Sequence, residues 1–488
     1  CTNMGQTEVH LKDDYSIFQN IKGTPKYWQK AKNELIAKVK NLGPFHLFFT
    51  LSCGEMNWSE VFVSALRSKG YTVKYIENSS GWNGSDDNIH VDGVKLWDFV
   101  ENMEGSKHEL LKDYIVMITR QFDERVKAFV KNILMGHGED KVPFIFFSYR
   151  VEFQARGAPH LHIMFWLEGE NGEAPPSMYS EENGEFNLDQ NIQNITDFVS
   201  SLISSSSKDI HCSKHMQINH RCEECKELKK LVEHYQTHSH RHTCLKRNRV
   251  IQIKSTEGHG LLDGEKEDEV LLVKTCRFNF PKNPIDKAEY IQSFPKDFDK
   301  TELKKAKEDY AKIRKYLLRI THTANFRDEE QWKTFKSLSF VEFLYKVGMF
   351  EKNTDINDAN AQMQARKRYL TALRCEAQSG DFLLLKRDPC DIFTNNYNKE
   401  LIIIHHANQD VQFITNGHAV ANYVTDYCTK LESGQTKLFR QINENAIRTG
   451  ESAKETNKKL AQAMDKGREV GIQESCYRSL GLPMTKFC

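Results

Sequence analysis

The stretch from Val151 to Leu167 limits what this chain can fold into more than any other. Val151 and Phe153 alternate with Glu152 and Gln154, and Leu161, Ile163 and Phe165 alternate with His160 and His162. Alternation of period two places like residues on one face of a strand. Gly157 and Pro159 between the two runs suit a turn, so the stretch reads as a β-hairpin. Directly opposed residues of an antiparallel pair share a face. Matching the polar sets puts Gln154 opposite His160 and Glu152 opposite His162, with Ala155 to Pro159 as the loop. Two imidazoles and a carboxylate or carboxamide then meet on one face. Neutral imidazole with hard oxygen ligands suits a divalent ion such as Mg²⁺, Mn²⁺ or Zn²⁺. Both Glu152 and Gln154 stand as the third ligand. The bland alternative is a pair of solvent-facing histidines on an amphipathic strand.

A second feature lies far along the chain, in Ala421 to Lys430. If this stretch is helical, Tyr423 and Tyr427 are four apart and share a face, with Lys430 one turn on. Here the chain resembles the HUH-type replication initiators, and among them the Rep nuclease region of Helitron rolling-circle transposases. The residues that carry the resemblance are Pro44 to Ser52, Glu152 to His162, and the Tyr423, Tyr427, Lys430 spacing. Further matches are His238 to Cys244, Cys276 to Pro281, Asn395 to Asn398, and Asp410 to Gln412. The resemblance implies metal ligands at His160 and His162, catalytic roles for Tyr423, Tyr427 and Lys430, and DNA nicking as the task. It also implies single-stranded DNA and transposon ends as partners, a P-loop helicase fused downstream, and a nuclear location in a eukaryotic host.

The chain has 488 residues, 39% hydrophobic and 28% charged, so two or three globular domains are expected. It has no long apolar span and no signal-peptide pattern, so no membrane partner is expected. A net charge of +1 leaves nucleic-acid contact to local basic patches. Candidates for such contact are Arg156, Lys246, Arg247, Arg249, Arg366, Lys367 and Arg368. Twelve cysteines are unevenly spread, with several grouped among histidines, which favours zinc over a disulfide framework. The zinc-ligand candidates are Cys212, His215, Cys222, Cys225, His238, His240, His242, Cys244 and Cys276. Cys222-x-x-Cys225 is the stronger spacing, because two thiolates on one ion need a tight turn between them. The family pattern supports the set from His238 to Cys276 instead.

The expected class is α+β, an antiparallel sheet of HUH type with flanking helices and an inserted zinc module. Residues 1–42 read as a polar and helical extension, and 43–200 as the first part of a nuclease domain holding the hairpin. Residues 201–282 read as the Cys/His-rich module, opened by a serine-rich joint at Ser200 to Ser207. A charged helical region spans 283–380. Residues 381–435 are expected to complete the nuclease with strands, including one at Leu401 to Ile404, and with the tyrosine helix. Residues 436–488 read as a helical linker toward a helicase, and no Gly-x4-Gly-Lys-[Ser/Thr] loop occurs, so the chain is expected to be a fragment of a longer one. The function expected is a metal-dependent single-strand endonuclease and strand transferase working through a 5′-phosphotyrosine. A DNA-binding remnant of a transposase, and a zinc-containing hydrolase using activated water, are the alternatives.

Overall fold

The computed structural model describes residues 25–43, 45–76, 86–134, 144–153, 158–167, 188–208, 210, 222–240, 244–246, 275–326, 329–414, 433–467 and 471–487. The elements that bear on the site, in chain order, begin with strand β1 (Leu47–Ser52), helix α1 (Ile115–Ala128), and strands β2 (Phe144–Phe153) and β3 (Pro159–Leu167). Helix α2 (Glu223–Leu231), strands β4 (Leu245–Lys246) and β5 (Thr275–Cys276), and helix α3 (Lys399–His405) follow. Strand β6 (Gln409–Phe413), helix α4 (Ile472–Ser479) and strand β7 (Thr485–Phe487) complete the set. Helices and antiparallel ladders together make the class α+β. Among the described residues no helix is long and apolar enough to cross a membrane.

The chain divides into two compact units. The first takes residues 1–48, 55–167 and 416–488; the second takes 49–54 and 168–415. The first unit is built on the long strands β2 and β3, whose run of aromatic and β-branched residues suits a pleated, buried surface. The start of β1 lies beside β3, β3 pairs with β2, and β7 closes the far edge on β2. Trp58, Phe62, Phe122, Phe147, Val151 and Ile163 are fully buried in this unit. Helix α4 packs there through Tyr477, whose hydroxyl meets the buried Asp123 carboxylate at 3.3 Å. Residues 472–487, within the stretch read as a linker, thus supply this unit with a packed helix and an edge strand.

In the second unit a helical core gathers Ile313, Leu317, Phe335, Phe343 and Tyr369. Local signals start its helices: Ser339 and Glu342 form a reciprocal capping box, and Asp358 caps the Ala361 amide at 2.8 Å. Strand β6 runs beside the end of β1, where the Ser52 amide donates to the Asn408 carbonyl at 3.0 Å. Two expectations are corrected in this unit. Leu401 to Ile404 is not a strand but most of helix α3, because Asn398 caps the Leu401 amide at 2.9 Å. A short apolar run cannot separate a strand from a buried helical turn by periodicity, so the cap decides. The serine run is not a joint either. Ser205 donates to the Lys386 carbonyl at 2.7 Å, and Ser206 and Ser207 both bond the Asp391 carboxylate. A serine hydroxyl buried on a carboxylate is a packed, satisfied group, which composition alone does not reveal.

Candidate functional site

The hairpin forms as the alternation requires, but its register differs from the expected one. Glu152 pairs with His160, Arg150 with His162, and Phe153 with Pro159. A slip of two residues keeps every side chain on its face, so alternation could not choose between these pairings. The consequence is chemical. Glu152, not Gln154, stands directly across from His160, and its Oε2 also reaches Nε2 of His162, the diagonal neighbour, at 2.9 Å. Gln154 and Arg156 lie outside the described residues.

One aromatic contact and one backbone contact hold this strand pair. The ring of Phe48 on β1 stacks on the His162 imidazole at 5.6 Å with 8° between planes. His46 takes the Leu167 amide on Nδ1 at 3.0 Å, which ties the start of β1 to the end of β3. Burial of His46 lowers its pKa to about 4, so it stays neutral and keeps that acceptor. Glu152 and His162 are each 16% exposed at the side chain, open enough to take a ligand. Ligands held about 2.1 Å from an octahedral ion lie about 3.0 Å apart at neighbouring positions, and the Glu152–His162 separation fits that edge. Arg150, buried and opposite His162, was not singled out from sequence; its place in an alternating run holds no signal of charge near the histidines.

The donors that converge most tightly among the described residues lie in the second unit. His238 Nε2 is 3.2 Å from His240 Nδ1; Cys244 Sγ is 3.5 Å from that same nitrogen; Cys276 Sγ is 3.5 Å from His238 Nε2. All four ligand atoms lie within 4.8 Å of one another. With bonds of about 2.0 Å to nitrogen and 2.3 Å to sulfur, a tetrahedral ion sets ligands roughly 3.3 Å (N to N) and 3.5 Å (N to S) apart. The observed spacings match. Strands β4 and β5 bring the two sulfurs together, with Leu245 opposite Cys276 and the Arg277 amide bonded to the Cys244 carbonyl at 2.7 Å. Phe280 stacks on His238 at 4.3 Å and Phe393 meets His240 edge-on at 5.5 Å, which fixes both rings. Burial lowers the His240 pKa and keeps the ring neutral, as a ligand must be. Burial raises the Cys276 thiol, and the Cys244 thiol raises it further.

The other zinc candidates divide. Cys222 caps helix α2 by accepting the Cys225 amide at 3.3 Å, and Cys225 is buried in its first turn. Cys212, His215 and His242 lie outside the described residues, as do Tyr423, Tyr427 and Lys430. A second close group, Asp388, Cys390 and Asp391, is accounted for by hydrogen bonds from the serine run to Asp391 and by Lys208 at Cys390.

Of the proposed DNA contacts, Arg366 meets Asp286 at 3.0 Å and Glu289 at 2.6 Å, and Arg368 meets Asp309 at 2.5 Å. Both guanidinium charges are therefore answered by carboxylates, while Lys367 is exposed. Lys246 places its backbone in β4, opposite Thr275. Arg247 and Arg249 lie outside the described residues.

No curated protein matches the chain. Residues 3–165 match the family described as the Helitron helicase-like domain at N-terminus. The matched segment contains Phe48, Glu152, His160 and His162, so the residues of the hairpin face lie in the part of the chain that is similar to the Helitron helicase-like N-terminal domain.

Proposed function

We propose that this chain is a metal-dependent endonuclease and strand transferase that nicks and rejoins single-stranded DNA in rolling-circle transposition. The observation that carries this reading is the Glu152–His162 contact at 2.9 Å, on a strand pair that also presents His160, within the segment matched to the Helitron family. A Mg²⁺ or Mn²⁺ ion on Glu152, His160 and His162 would supply charge neutralisation at a scissile phosphate. The chain's residues prepare that site. Phe48 fixes the plane of the His162 ring, Glu152 orients its nitrogen, and Arg150 adds positive charge on the same face.

Tyr423 or Tyr427 supplies the nucleophile. Its phenolic oxygen bonds to phosphorus as the bond from phosphorus to the 3′-oxygen breaks. The phenol loses a proton and the departing 3′-oxygen gains one, so the products are a 5′-phosphotyrosine and a free 3′-hydroxyl. The bond energy is retained, and attack by a 3′-hydroxyl rejoins the strand without ATP. Two tyrosines allow two successive cleavages, and Lys430 would neutralise phosphate beside them. The cluster of His238, His240, Cys244 and Cys276 holds a structural Zn²⁺. In a eukaryotic host the DNA task belongs in the nucleus.

The test is incubation of the protein with labelled single-stranded DNA and Mn²⁺ or Mg²⁺, followed by a denaturing gel. The expected result is a metal-dependent protein–DNA adduct, lost in the Tyr423→Phe/Tyr427→Phe double variant and reduced at least about tenfold by Glu152→Ala or His162→Ala. Cleavage that ignores both tyrosines would point to activated water. DNA binding without cleavage would point to a binding remnant.

A further inference from the structure

The loop that leaves strand β5 carries side chains that neither site uses. Arg277, Phe278 and Asn279 are exposed between buried Cys276 and buried Phe280. Phe278 is 49% exposed, although its backbone is tightly held. Its amide donates to the Cys276 sulfur at 3.4 Å, and its carbonyl accepts from Lys282 Nζ at 3.1 Å. Asn279, in the left-handed region at φ 57°, donates its amide to the Cys276 carbonyl at 3.2 Å and closes the turn. The imidazole of His238 meets the Phe278 ring edge to face at 5.9 Å, and the Arg277 guanidinium lies over that ring at 4.6 Å. Among the described residues no carboxylate pairs with Arg277. Arg366 and Arg368, by contrast, are each held by acids.

We propose that Arg277 and Phe278 form a platform on which an unpaired base of single-stranded DNA stacks, with the guanidinium facing the adjoining phosphate. The occupant follows from the chemistry. An exposed aromatic ring on a fixed backbone, with a guanidinium over it that no described carboxylate pairs, suits a ligand that offers a flat π-surface and a negative charge close by. Single-stranded DNA repeats that pair along its length, whereas a duplex keeps its base faces covered. The proposal deepens the reading of single-stranded DNA as the substrate and rests on it.

The experiment measures binding of the full, zinc-loaded chain, without Mg²⁺ or Mn²⁺, by fluorescence anisotropy. The probes are a labelled thymidine oligonucleotide and an abasic oligonucleotide of equal length. Phe278→Ala should weaken binding to the first about tenfold and leave the second unchanged, while Phe278→Tyr restores wild-type affinity. Arg277→Ala should weaken binding to both. Phe278 is exposed, so circular dichroism and zinc content should match wild type. Equal affinity of wild type and Phe278→Ala for the thymidine oligonucleotide would overturn the platform, as would an equal loss on both probes or no binding by wild type. Base-dependent binding that survives alongside a failed cleavage assay would leave the platform standing and remove the nuclease.

Discussion

His46 shows how one side chain can set the acid limit of the first unit. Its unfolded imidazole takes up a proton near 6.5, and the folded one only near 4, because burial disfavours the charged form. A lowered histidine pKa stabilises the neutral folded state fully above the unfolded value, and that stability is lost as pH falls from 6.5 toward 4. Lowering the pH from 7 to 5 should therefore cost about 2 kcal/mol of unfolding free energy through this group alone. His46→Asn keeps an acceptor for the Leu167 amide and cannot titrate. Urea unfolding at the two pH values should show a flatter dependence in the variant; an unchanged slope would assign the acid sensitivity elsewhere. The Glu152–His162 contact belongs to the same scale. Two strands present these groups, and the Glu152 carboxylate reaches diagonally across the pair to the His162 ring.

At the scale of elements, strand β2 is held from both sides. One neighbour is β3; the other is β7, where Thr485 pairs with Arg150 and the Val151 amide donates to the Met484 carbonyl at 2.8 Å. Tyr477 of α4 reaches the reverse face of the same strand, with its ring 5.4 Å from Phe153 and its hydroxyl on the Asp123 carboxylate and the Pro483 carbonyl. Tyr477→Phe removes the one hydroxyl proton shared between the Asp123 carboxylate and the Pro483 carbonyl and should cost about 1–2 kcal/mol. Tyr477→Ala removes a fully buried ring and should cost about 3–5 kcal/mol, as large aromatic truncations do. Amide hydrogen exchange over Val151 to Phe153 should rise in the alanine variant. Unchanged protection there would show that α4 does not brace the strand carrying Glu152.

For the whole molecule, the second unit assembles its four donors from stretches as far apart as His238 and Cys276. A metal that joins such distant segments contributes folding energy directly. Cys276→Ser, or a strong chelator, should release about one equivalent of zinc, measured by elemental analysis, and lower the melting temperature by roughly 10 °C. A melting curve that ignores both treatments would make these four donors a fortuitous cluster. Much of this was legible beforehand. Strict alternation made 151–167 a two-sided hairpin with both histidines on one face, and the family resemblance, against the stronger spacing of Cys222 and Cys225, put His238, His240, Cys244 and Cys276 among the ligand candidates. Periodicity is a local property of a strand, so sequence carries it intact. Register is not local. A slip of two residues preserves every face, and only the pairing of β2 with β3 in the folded sheet makes Glu152 the partner of His160. Likewise, composition could count arginines but could not tell Arg366 and Arg368, paired with acids from distant segments, from Arg277, which stacks exposed on Phe278. Charge compensation depends on which segments meet, and the tertiary structure alone decides that.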